Sequence, residues 1–372
     1  MIDWFTPGYK AGGPIQSCAN IAFALKDEYD IYVLTTDTDH GENKPYTSII
    51  ADQWTKNIDP QINIYYAKKE MLTVKQLANE INFVQPDFIY LNNMFSPYFV
   101  QYPLWLKYTG KIKSKVIISP RGSLYDSALS VKSYKKKPFL FLFKLFGIHK
   151  RILFHATNDR EKKAILQHFP GSSIRIADNL PNINQPKFFS CNKESGIVNC
   201  VFIARIVAIK NLFFLLKVLE KVTAIVKLTV IGPIEDAAYW EECKKEIAQL
   251  PANITVDYAG TKQHNQLLQI VQQQHLFVLP TTGENFGHAI FEAMLAGRPV
   301  VISDQTPWLN LNEKKIGWDM SLDNPAAFVN AIEAAAKWDQ QQFDEYANAS
   351  WGFANNFVTN PQLRKQYNEL FA

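Results

Sequence analysis

Residues 280–301 read PTTGENFGHAIFEAMLAGRPVV, and this stretch decides the fold. It follows an apolar strand, residues 276–279, and its pattern predicts a tight loop, a helix from about His288, a glycine stop at Gly297 and a second strand from Pro299 to Ser303. A loop between a buried strand and a helix lies at the carboxyl edge of a parallel sheet, where open α/β sheets bind their ligands. The stretch therefore predicts an α/β fold with a ligand site at this loop.

Two carboxylates frame this loop. Glu284 precedes the helix and Glu292 lies inside it, with seven residues between them. Gly287 lets a ligand come close to the backbone, and the free amide groups at the start of a helix favour an anion. We therefore expect a polyhydroxylated, phosphorylated ligand.

The rest of the chain alternates strands and helices in two halves. A proline-punctuated segment, residues 181–186, separates them and is the best candidate for a linker between domains. A chain of 372 residues is long enough for two ordinary domains, each with its own core. We predict two Rossmann-like α/β domains, residues 1–184 and 185–350, that face each other across a cleft, and a helical segment, residues 351–372, that packs back on the first domain.

Composition distinguishes the two halves and indicates a compartment. Residues 1–186 carry 23 Lys and Arg against 16 Asp and Glu, whereas residues 187–372 carry 16 against 19, so anionic partners are expected at the first half.

The 4 cysteines lack metal-ligand spacing, which favours buried thiols in a reducing compartment. The first residues lack the pattern of a signal peptide, and no apolar run approaches the roughly 20 residues that span a bilayer. We therefore expect a cytoplasmic protein.

Three features of the first half are candidate ligand contacts. Gly12 and Gly13 lie at the first strand-to-helix turn, where a doubly wound fold cradles phosphate, although a plain structural turn has the same composition. Arg121 follows an apolar strand and either faces the ligand cleft or lies on the surface at a turn. The pair Asp37 and Asp39, separated by one threonine, is interpreted as part of a polar loop rather than as a metal–nucleotide clamp.

Residues 132–151 form a basic segment rich in phenylalanine and contain no acid. Such a segment suits an anionic membrane surface, with lysines near the phosphates and aromatic rings in the interface. The alternative is a core helix with a solvated lysine end. The cations of the segment are Lys132, Lys135, Lys136, Lys137, Lys144, Lys150 and Arg151.

In the second half, cations and glycines follow the strands. Arg205 and Lys210 bracket a loop at a strand end, an arrangement that can neutralise a diphosphate, although a pair of surface cations would have the same spacing. Gly232 and Gly260 each close a strand.

Together these motifs resemble glycosyltransferase family 4, the large retaining family with the GT-B fold, and within it the branch that builds bacterial surface polysaccharides. The resemblance covers nearly the whole chain. Its most specific element is the pair of glutamates with seven residues between them, Phe286 and Gly287 included. The other matching stretches are Gly12-Gly13, Ala204-Arg205 through Lys210-Asn211, Val230-Ile231-Gly232-Pro233 and Tyr258-Ala259-Gly260.

The resemblance implies a role for each candidate residue. Glu292 would bind the ribose hydroxyls of a nucleotide sugar, and Glu284 would bind hydroxyls of the transferred sugar. Arg205 and Lys210 would hold the diphosphate, so that fixed cations take the place of a metal and neither a metal nor another cofactor is expected. The residues implied in catalysis are Glu284, Arg205, Lys210 and Arg121, and those implied in donor binding are Gly12, Gly13, Gly232, Gly260, Asn285, Phe286, Gly287 and Glu292.

The resemblance also implies a reaction on one face of the sugar, in which the leaving phosphate takes the proton of the acceptor. Glu284 is therefore not assigned as a covalent nucleophile, unlike one carboxylate of the pair in retaining glycosidases. Two positions depart from the family pattern. Many relatives carry a histidine where this chain has Arg121, and the usual Pro-Asn-Gly before the linker is here Asp178-Asn179-Leu180. Arg121 is thus a candidate replacement for a sugar-contacting histidine, and the role of Asn179 is open.

We predict a retaining glycosyltransferase that moves one sugar from a nucleotide donor, UDP favoured over GDP, to a lipid-linked oligosaccharide of bacterial surface polysaccharide biosynthesis. The acceptor would be a polyprenyl-diphosphate glycan at the inner face of the cell membrane, which the enzyme contacts through residues 132–151. No nucleic acid partner is expected. Two alternatives stay open: an enzyme of the same fold that acts on a soluble sugar, and a binding protein that kept the fold without turnover.

Overall fold

The structure, a computed structural model, describes residues 1–130, 133–181 and 186–372. The chain forms two units: an amino-terminal unit of Met1–Ile183 with Pro361–Ala372, and a carboxyl-terminal unit of Asn184–Asn360. The division falls in the predicted linker, residues 181–186, of which 182–185 lie outside the described residues. Both units are α/β, as the sequence predicts.

The amino-terminal unit contains two sheets. The first has the order β1-β3-β2, with β1 and β3 parallel, and the second has the order β4-β5-β6-β7 with every pair parallel. The first residues of the chain lie between the sheets, because Ile2 N donates to Leu34 O at 3.2 Å and Asn92 N donates to Met1 O at 3.2 Å. The strands are β1 (Ile31–Thr36), β2 (Trp54–Thr55), β3 (Ile62–Ala67), β4 (Phe88–Asn92), β5 (Lys115–Ser119), β6 (Leu153–Ala156) and β7 (Ser173–Ile176).

Helices cover these sheets and begin where polar side chains cap them. Thr73 and Asn158, for example, each accept from the backbone amide three residues later, which satisfies a donor that the helix start leaves open. The helices are α1 (Gly13–Leu25), α2 (Val74–Val84), α3 (Tyr102–Tyr108), α4 (Asp126–Ser130), α5 (Ser133–Leu145) and α6 (Asp159–His168).

The carboxyl-terminal unit is built on one six-stranded parallel sheet of order β10-β9-β8-β11-β12-β13. The three central strands are mostly apolar, and two of them are buried along their whole length, as expected for a parallel sheet covered on both faces. The strands are β8 (Ile197–Ile203), β9 (Ile225–Ile231), β10 (Ile254–Tyr258), β11 (Leu276–Leu279), β12 (Val300–Ser303) and β13 (Gly317–Met320). The helices are α7 (Leu212–Leu219), α8 (Ala237–Ile247), α9 (His264–Gln272), α10 (His288–Leu295), α11 (Pro325–Lys337) and α12 (Gln340–Val358).

The last helix, α13 (Pro361–Leu370), belongs to the amino-terminal unit. Asp178 N donates to Gln366 Oε1 at 2.9 Å, and Gln366 Nε2 donates to Asp178 Oδ2 at 3.2 Å. The predicted returning segment begins at residue 351, ten residues before α13. The difference arises because α12 is one long helix whose buried residues, Phe343, Ala347, Ser350 and Ala354, lie in the carboxyl-terminal unit. Within the described residues, every helix is too short or too polar to cross a bilayer.

A buried arginine closes the stretch that decides the fold. Arg298, which follows the predicted glycine stop, is fully buried and donates to the carbonyl oxygens of Gln274 at 2.8 Å, Ala296 at 3.2 Å and Phe189. Its guanidinium carbon lies 5.2 Å from the centre of the Phe343 ring. A buried charge is tolerated only with such partners, so Arg298 ties the segment before β8 to the loop between α10 and β12.

Lowering the pH from 7.5 to 5 is expected to reduce the free energy of unfolding by about 2 kcal/mol through His275. His275 Nδ1 accepts from Asn199 N at 3.0 Å and Nε2 donates to Asn192 O at 2.9 Å, so the neutral ring is the bonded form. Burial lowers the pKa of His275 to about 4. The unfolded chain therefore binds this proton first, and stability falls as the pH drops below about 6.5.

Urea unfolding at the two pH values measures this loss. The variant His275→Gln lacks the titrating group. The loss of unfolding free energy between pH 7.5 and pH 5 should therefore be smaller in the variant than in the parent by about 2 kcal/mol, whatever the absolute stability of the variant. The same pH dependence in the variant and the parent would contradict the assignment.

Candidate functional site

The strand order of the carboxyl-terminal unit creates one preferred binding position. Numbered within the unit, the order is 3-2-1-4-5-6, and the connections reverse direction between β8 and β11. At such a switch point the loops after the two strands leave in opposite directions and open a crevice at the carboxyl edge of the sheet. The loop after β8 carries Arg205 and Lys210, and the loop after β11 carries Glu284. The fold therefore brings these predicted residues to one place.

Backbone hydrogen bonds join the two loops. The carbonyl oxygen of Ile209 accepts from Thr282 N at 2.9 Å and from Thr281 Oγ1 at 3.0 Å. On the other side, Glu284 N donates to Gln305 O at 3.0 Å, which fixes the same loop to the segment after β12. The loop that carries Glu284 is thus held from two directions, so its carboxylate has a defined position.

Lys210 and Glu284 form an ion pair within this crevice. Their side chains are only 16% and 14% exposed, so water screens the pair less than it screens a surface pair. An ammonium group has three donors, and a carboxylate has about four acceptor positions. Each group can therefore keep its partner and still bind a ligand, Lys210 an anionic oxygen and Glu284 a hydroxyl.

Arg205 contacts a residue that the sequence did not single out. Its guanidinium pairs with Glu235, and the two side chains are 35% and 38% exposed. The loops that carry them are joined as well, since Ile206 N donates to Pro233 O at 2.8 Å. An exposed ion pair of this kind contributes only about 0–1 kcal/mol to stability, so an anionic ligand can replace Glu235 as the partner of Arg205. The one sequence signal for Glu235 is its place just after the strand-closing Gly232.

The two strand-closing glycines have different reasons to be glycine. Gly232 has φ +147°, and a Cβ there would lie 1.9 Å from Ala204 O, so only glycine allows the loop after β9 to approach the residue before Arg205. Gly260 has φ +70°, but a Cβ would meet no atom within 4 Å. Gly232 N donates to Gly260 O at 3.0 Å, which aligns the two loops at the sheet edge.

The start of α10 combines a buried anchor with half-buried polar groups. Phe286 is buried, with its ring 5.1 Å from that of Trp308, and Trp308 Nε1 donates to Phe286 O at 2.6 Å. The ring of Phe286 is therefore an anchor of the loop. Gly287 caps the helix in the left-handed conformation, Asn285 precedes it half-buried, and Glu292 lies half-buried in the second turn.

In the amino-terminal unit, Arg121 lies in a network of neutral partners. It follows β5 with φ +53°, its Nε donates to Asn92 Oδ1 at 3.2 Å, Nη2 donates to Tyr90 Oη at 3.1 Å, and Nη1 donates to Asn179 Oδ1. The two departures from the family pattern, Arg121 and Asn179, thus contact each other. Because these partners are uncharged, they leave the positive charge of Arg121 in place for an anionic or polyhydroxylated ligand.

A buried histidine, His155, is the next member of this network and contacts Tyr90. His155 Nε2 donates to Ala177 O at 2.8 Å, so Nδ1 accepts from the Tyr90 hydroxyl at 2.5 Å, and that oxygen accepts from Arg121. Burial lowers the pKa of His155 to about 3, which keeps the ring neutral and this order of donors fixed. His155 therefore positions Tyr90 rather than exchanging a proton near neutral pH.

The glycine turn of the amino-terminal unit is held by one of the paired aspartates. Asp39 Oδ2 accepts from Tyr9 N at 2.9 Å and from Lys10 N at 3.2 Å, just before Gly12. Gly12, at φ +66°, precedes α1, whose first residue is Gly13. Asp39 thus supports the loop, in agreement with its interpretation as part of a polar loop. Across the described ranges, no group of three or more metal-ligating side chains is found.

Comparison with known proteins matches the carboxyl-terminal unit to a family, over less than half of the chain. Residues 186–349 match the model of the family described as Glycosyl transferases group 1. Among curated relatives, an uncharacterized 41.2 kDa protein in the cps region of Klebsiella pneumoniae is 23% identical over 228 residues, 59% of this chain and 60% of the relative. The GDP-mannose:cellobiosyl-diphosphopolyprenol alpha-mannosyltransferase of Xanthomonas oryzae is 28% identical over 117 residues, 31% of each chain. The matches thus span less than two thirds of these relatives.

Solved structures resemble the whole chain. HepE of Anabaena, in complex with UDP and glucose, superimposes with a TM-score of 0.69 at 16% identity, covering 98% of this chain and 97% of HepE. At this identity the likeness concerns the fold. The family match and the fold likeness confirm the family resemblance and the GT-B fold class that the sequence predicts.

Proposed function

We propose that this chain, whose carboxyl-terminal unit belongs to the group 1 glycosyltransferases, is a retaining glycosyltransferase that moves a sugar from a nucleoside diphosphate sugar to a lipid-linked glycan. One observation carries the donor half of this proposal. The Lys210–Glu284 pair lies at the switch point of the six-stranded sheet, where a cation suits a diphosphate and a carboxylate suits sugar hydroxyls. A retained sugar configuration follows the family resemblance.

The chemistry proposed for this site is stabilisation of the leaving group. When the bond between the sugar and the diphosphate breaks, negative charge develops on the departing oxygen. Lys210 is held by Glu284 before the ligand arrives, so it is preorganised for that charge. Arg205 lies in the same crevice and can exchange its exposed partner Glu235 for the diphosphate. Glu284 accepts from hydroxyls of the sugar and orients it, and the departing phosphate takes the acceptor proton.

The nucleotide half of the donor is tested by thermal shift. UDP is favoured, which is consistent with the UDP bound to HepE, whereas the Xanthomonas relative is named for GDP-mannose. A ligand that binds only the native state raises the melting temperature by mass action. We expect UDP or a UDP-sugar to give the larger shift, and a larger shift with GDP would reassign the base.

Glu292→Gln is expected to weaken nucleoside diphosphate binding by about 10- to 100-fold, because an amide replaces the carboxylate that accepts from the ribose hydroxyls. Calorimetric titration of UDP and GDP measures the loss. Glu333→Gln is the matched control, since Glu333 also lies on a helix of this unit but caps the turn at Thr223. A variant that binds as tightly as the parent would contradict the role of Glu292.

The acceptor half of the proposal is a polyprenyl-diphosphate-linked glycan at the inner face of the cell membrane. The printed names of the relatives support it: one lies in a cps region and the other acts on a cellobiosyl-diphosphopolyprenol. The basic segment 132–151, which includes the exposed Lys135 and Lys137, supplies peripheral contact; Lys132 lies outside the described residues. Transfer of labelled sugar from a donor panel to polyprenyl-diphosphate glycans would support this acceptor. Transfer only to soluble sugars, or no transfer at all, would refute it.

A further inference from the structure

Helix α5 is apolar on two opposite faces. Leu140 and Phe143 are buried in the core of the amino-terminal unit, as the core-helix alternative requires. Tyr134, Phe141 and Leu145 follow one another at helical spacing on the other side, and Phe141 and Leu145 are 65% and 64% exposed. Lysines separate the two apolar faces, and a contiguous exposed apolar patch on a protein marks an interaction site. The outward face of α5 is therefore a candidate docking surface.

A second helix extends this exposed face. Trp105 of α3 is 57% exposed and stacks on Tyr108, with ring centres 6.4 Å apart. Tyr108 in turn lies 6.0 Å from Phe146, just after α5, and Arg151 lies over the Tyr108 ring at 5.3 Å. These contacts join residues of two helices into one continuous patch. We call it the aromatic surface, and it consists of Trp105, Tyr108, Phe141, Leu142, Leu145 and Phe146.

The charge around the aromatic surface has one sign. Residues 88–158 contain 12 Lys and Arg and a single acid, Asp126. Many of these cations are exposed in the structure: Lys111, Lys113, Lys135, Lys137, Lys144, Lys150 and Arg151. Protein interfaces are depleted in lysine, whereas amphipathic elements that lie on membranes combine aromatic rings with surrounding lysines. The charge therefore favours an anionic bilayer over a protein partner.

We propose that the aromatic surface docks on a bilayer rich in anionic lipid, with α3 inserting beside α5. The proposal rests on the proposed function, since it places a membrane-bound acceptor within reach, and it extends the membrane contact beyond the segment 132–151 to Trp105 and Tyr108. Rings and aliphatic side chains enter the interface while the cations bind lipid phosphates. Because the apolar contribution is not screened by salt, raised ionic strength weakens this binding without abolishing it.

The test is co-sedimentation of the full chain with vesicles of phosphatidylcholine alone or of equal parts phosphatidylcholine and phosphatidylglycerol. The parent should bind the anionic vesicles. The double variant Trp105→Ser with Tyr108→Ser should bind them roughly ten-fold more weakly or worse. Ile225→Ser is the control, because it removes an equally apolar exposed side chain from the carboxyl-terminal unit. An unchanged melting temperature and nucleotide-induced shift in each variant show that it is folded.

Three results would overturn the proposal: equal binding of the double variant and the parent, binding that ignores lipid charge, or a dimer in sedimentation velocity that the double variant abolishes without any vesicle binding. The last result would assign the surface to a second copy of the chain. The vesicle assay contains no nucleotide, so its outcome does not depend on the proposed function. Failure of the proposed function is seen in a separate measurement, as the absence of a nucleotide-induced shift in melting temperature.

Discussion

Lys210→Met is expected to lower kcat for sugar transfer by about 10²- to 10³-fold, the usual effect of removing one preorganised group that stabilises developing negative charge. Lys210 is only 16% exposed and is fixed by Glu284. A water molecule in place of the ammonium group would carry no charge and would leave Glu284 without its cationic partner. Single-turnover transfer of labelled sugar measures kcat, and titration of the donor measures KM. We expect the larger change in kcat, because the charge on the leaving oxygen grows towards the transition state.

Lys217→Met is the matched control for this experiment. Lys217 lies on the helix that follows the Lys210 loop, is 48% exposed and pairs with Glu246, so its loss should leave transfer unchanged. Adding Glu284→Gln to Lys210→Met gives a double-mutant cycle. If the two residues act on one ligand, their effects on kcat will not add. If Lys210→Met lowers only the melting temperature and leaves kcat intact, the ion pair is a structural one and the proposed role of Lys210 is wrong.

The fold could be predicted because its signals are local. A buried strand, a glycine-containing loop and a helix follow each other within residues 276–295, and that order alone places Glu284 at the carboxyl edge of a sheet. The position of Arg205 at the end of β8 was available for the same reason. The strand order is not encoded in any local pattern. That order makes β8 and β11 neighbours in the sheet.

The partners within each cluster could not be predicted. Arg121 contacts Asn179 across 58 residues of sequence, and Lys210 contacts Glu284 across 74. A residue type indicates which chemistry is available, but packing of the whole unit decides which donor meets which acceptor. Segment 132–151 illustrates the same limit. The sequence offered membrane contact or a core helix as alternatives, and α5 packs one face into the core while it exposes the other.

Gly232→Ala is expected to remove the nucleotide-induced thermal shift and to lower the free energy of unfolding by about 3 kcal/mol or more. The added Cβ would lie 1.9 Å from Ala204 O and 2.7 Å from Ala204 C, and both are backbone atoms that no rotamer change can move. Strands β8 and β9 are paired along their whole length, so the overlap is relieved by separating the segments just beyond them, which are Gly232 and the loop after β8 that begins at Ala204. Arg205 moves with that loop, away from the position in which it would hold a diphosphate.

Gly196→Ala separates this clash from the general cost of replacing a glycine. Gly196 also has a positive φ, +91°, but a Cβ there would meet no atom within 4 Å. Its replacement should cost about 1–2 kcal/mol, the penalty of a left-handed backbone for an L residue, and should leave the nucleotide-induced shift intact. Urea unfolding and thermal shift with UDP, applied to both variants, measure the two effects. If Gly232→Ala behaves like Gly196→Ala in both measurements, the close approach of Gly232 to Ala204 does not set the position of the Arg205 loop, and this prediction is wrong.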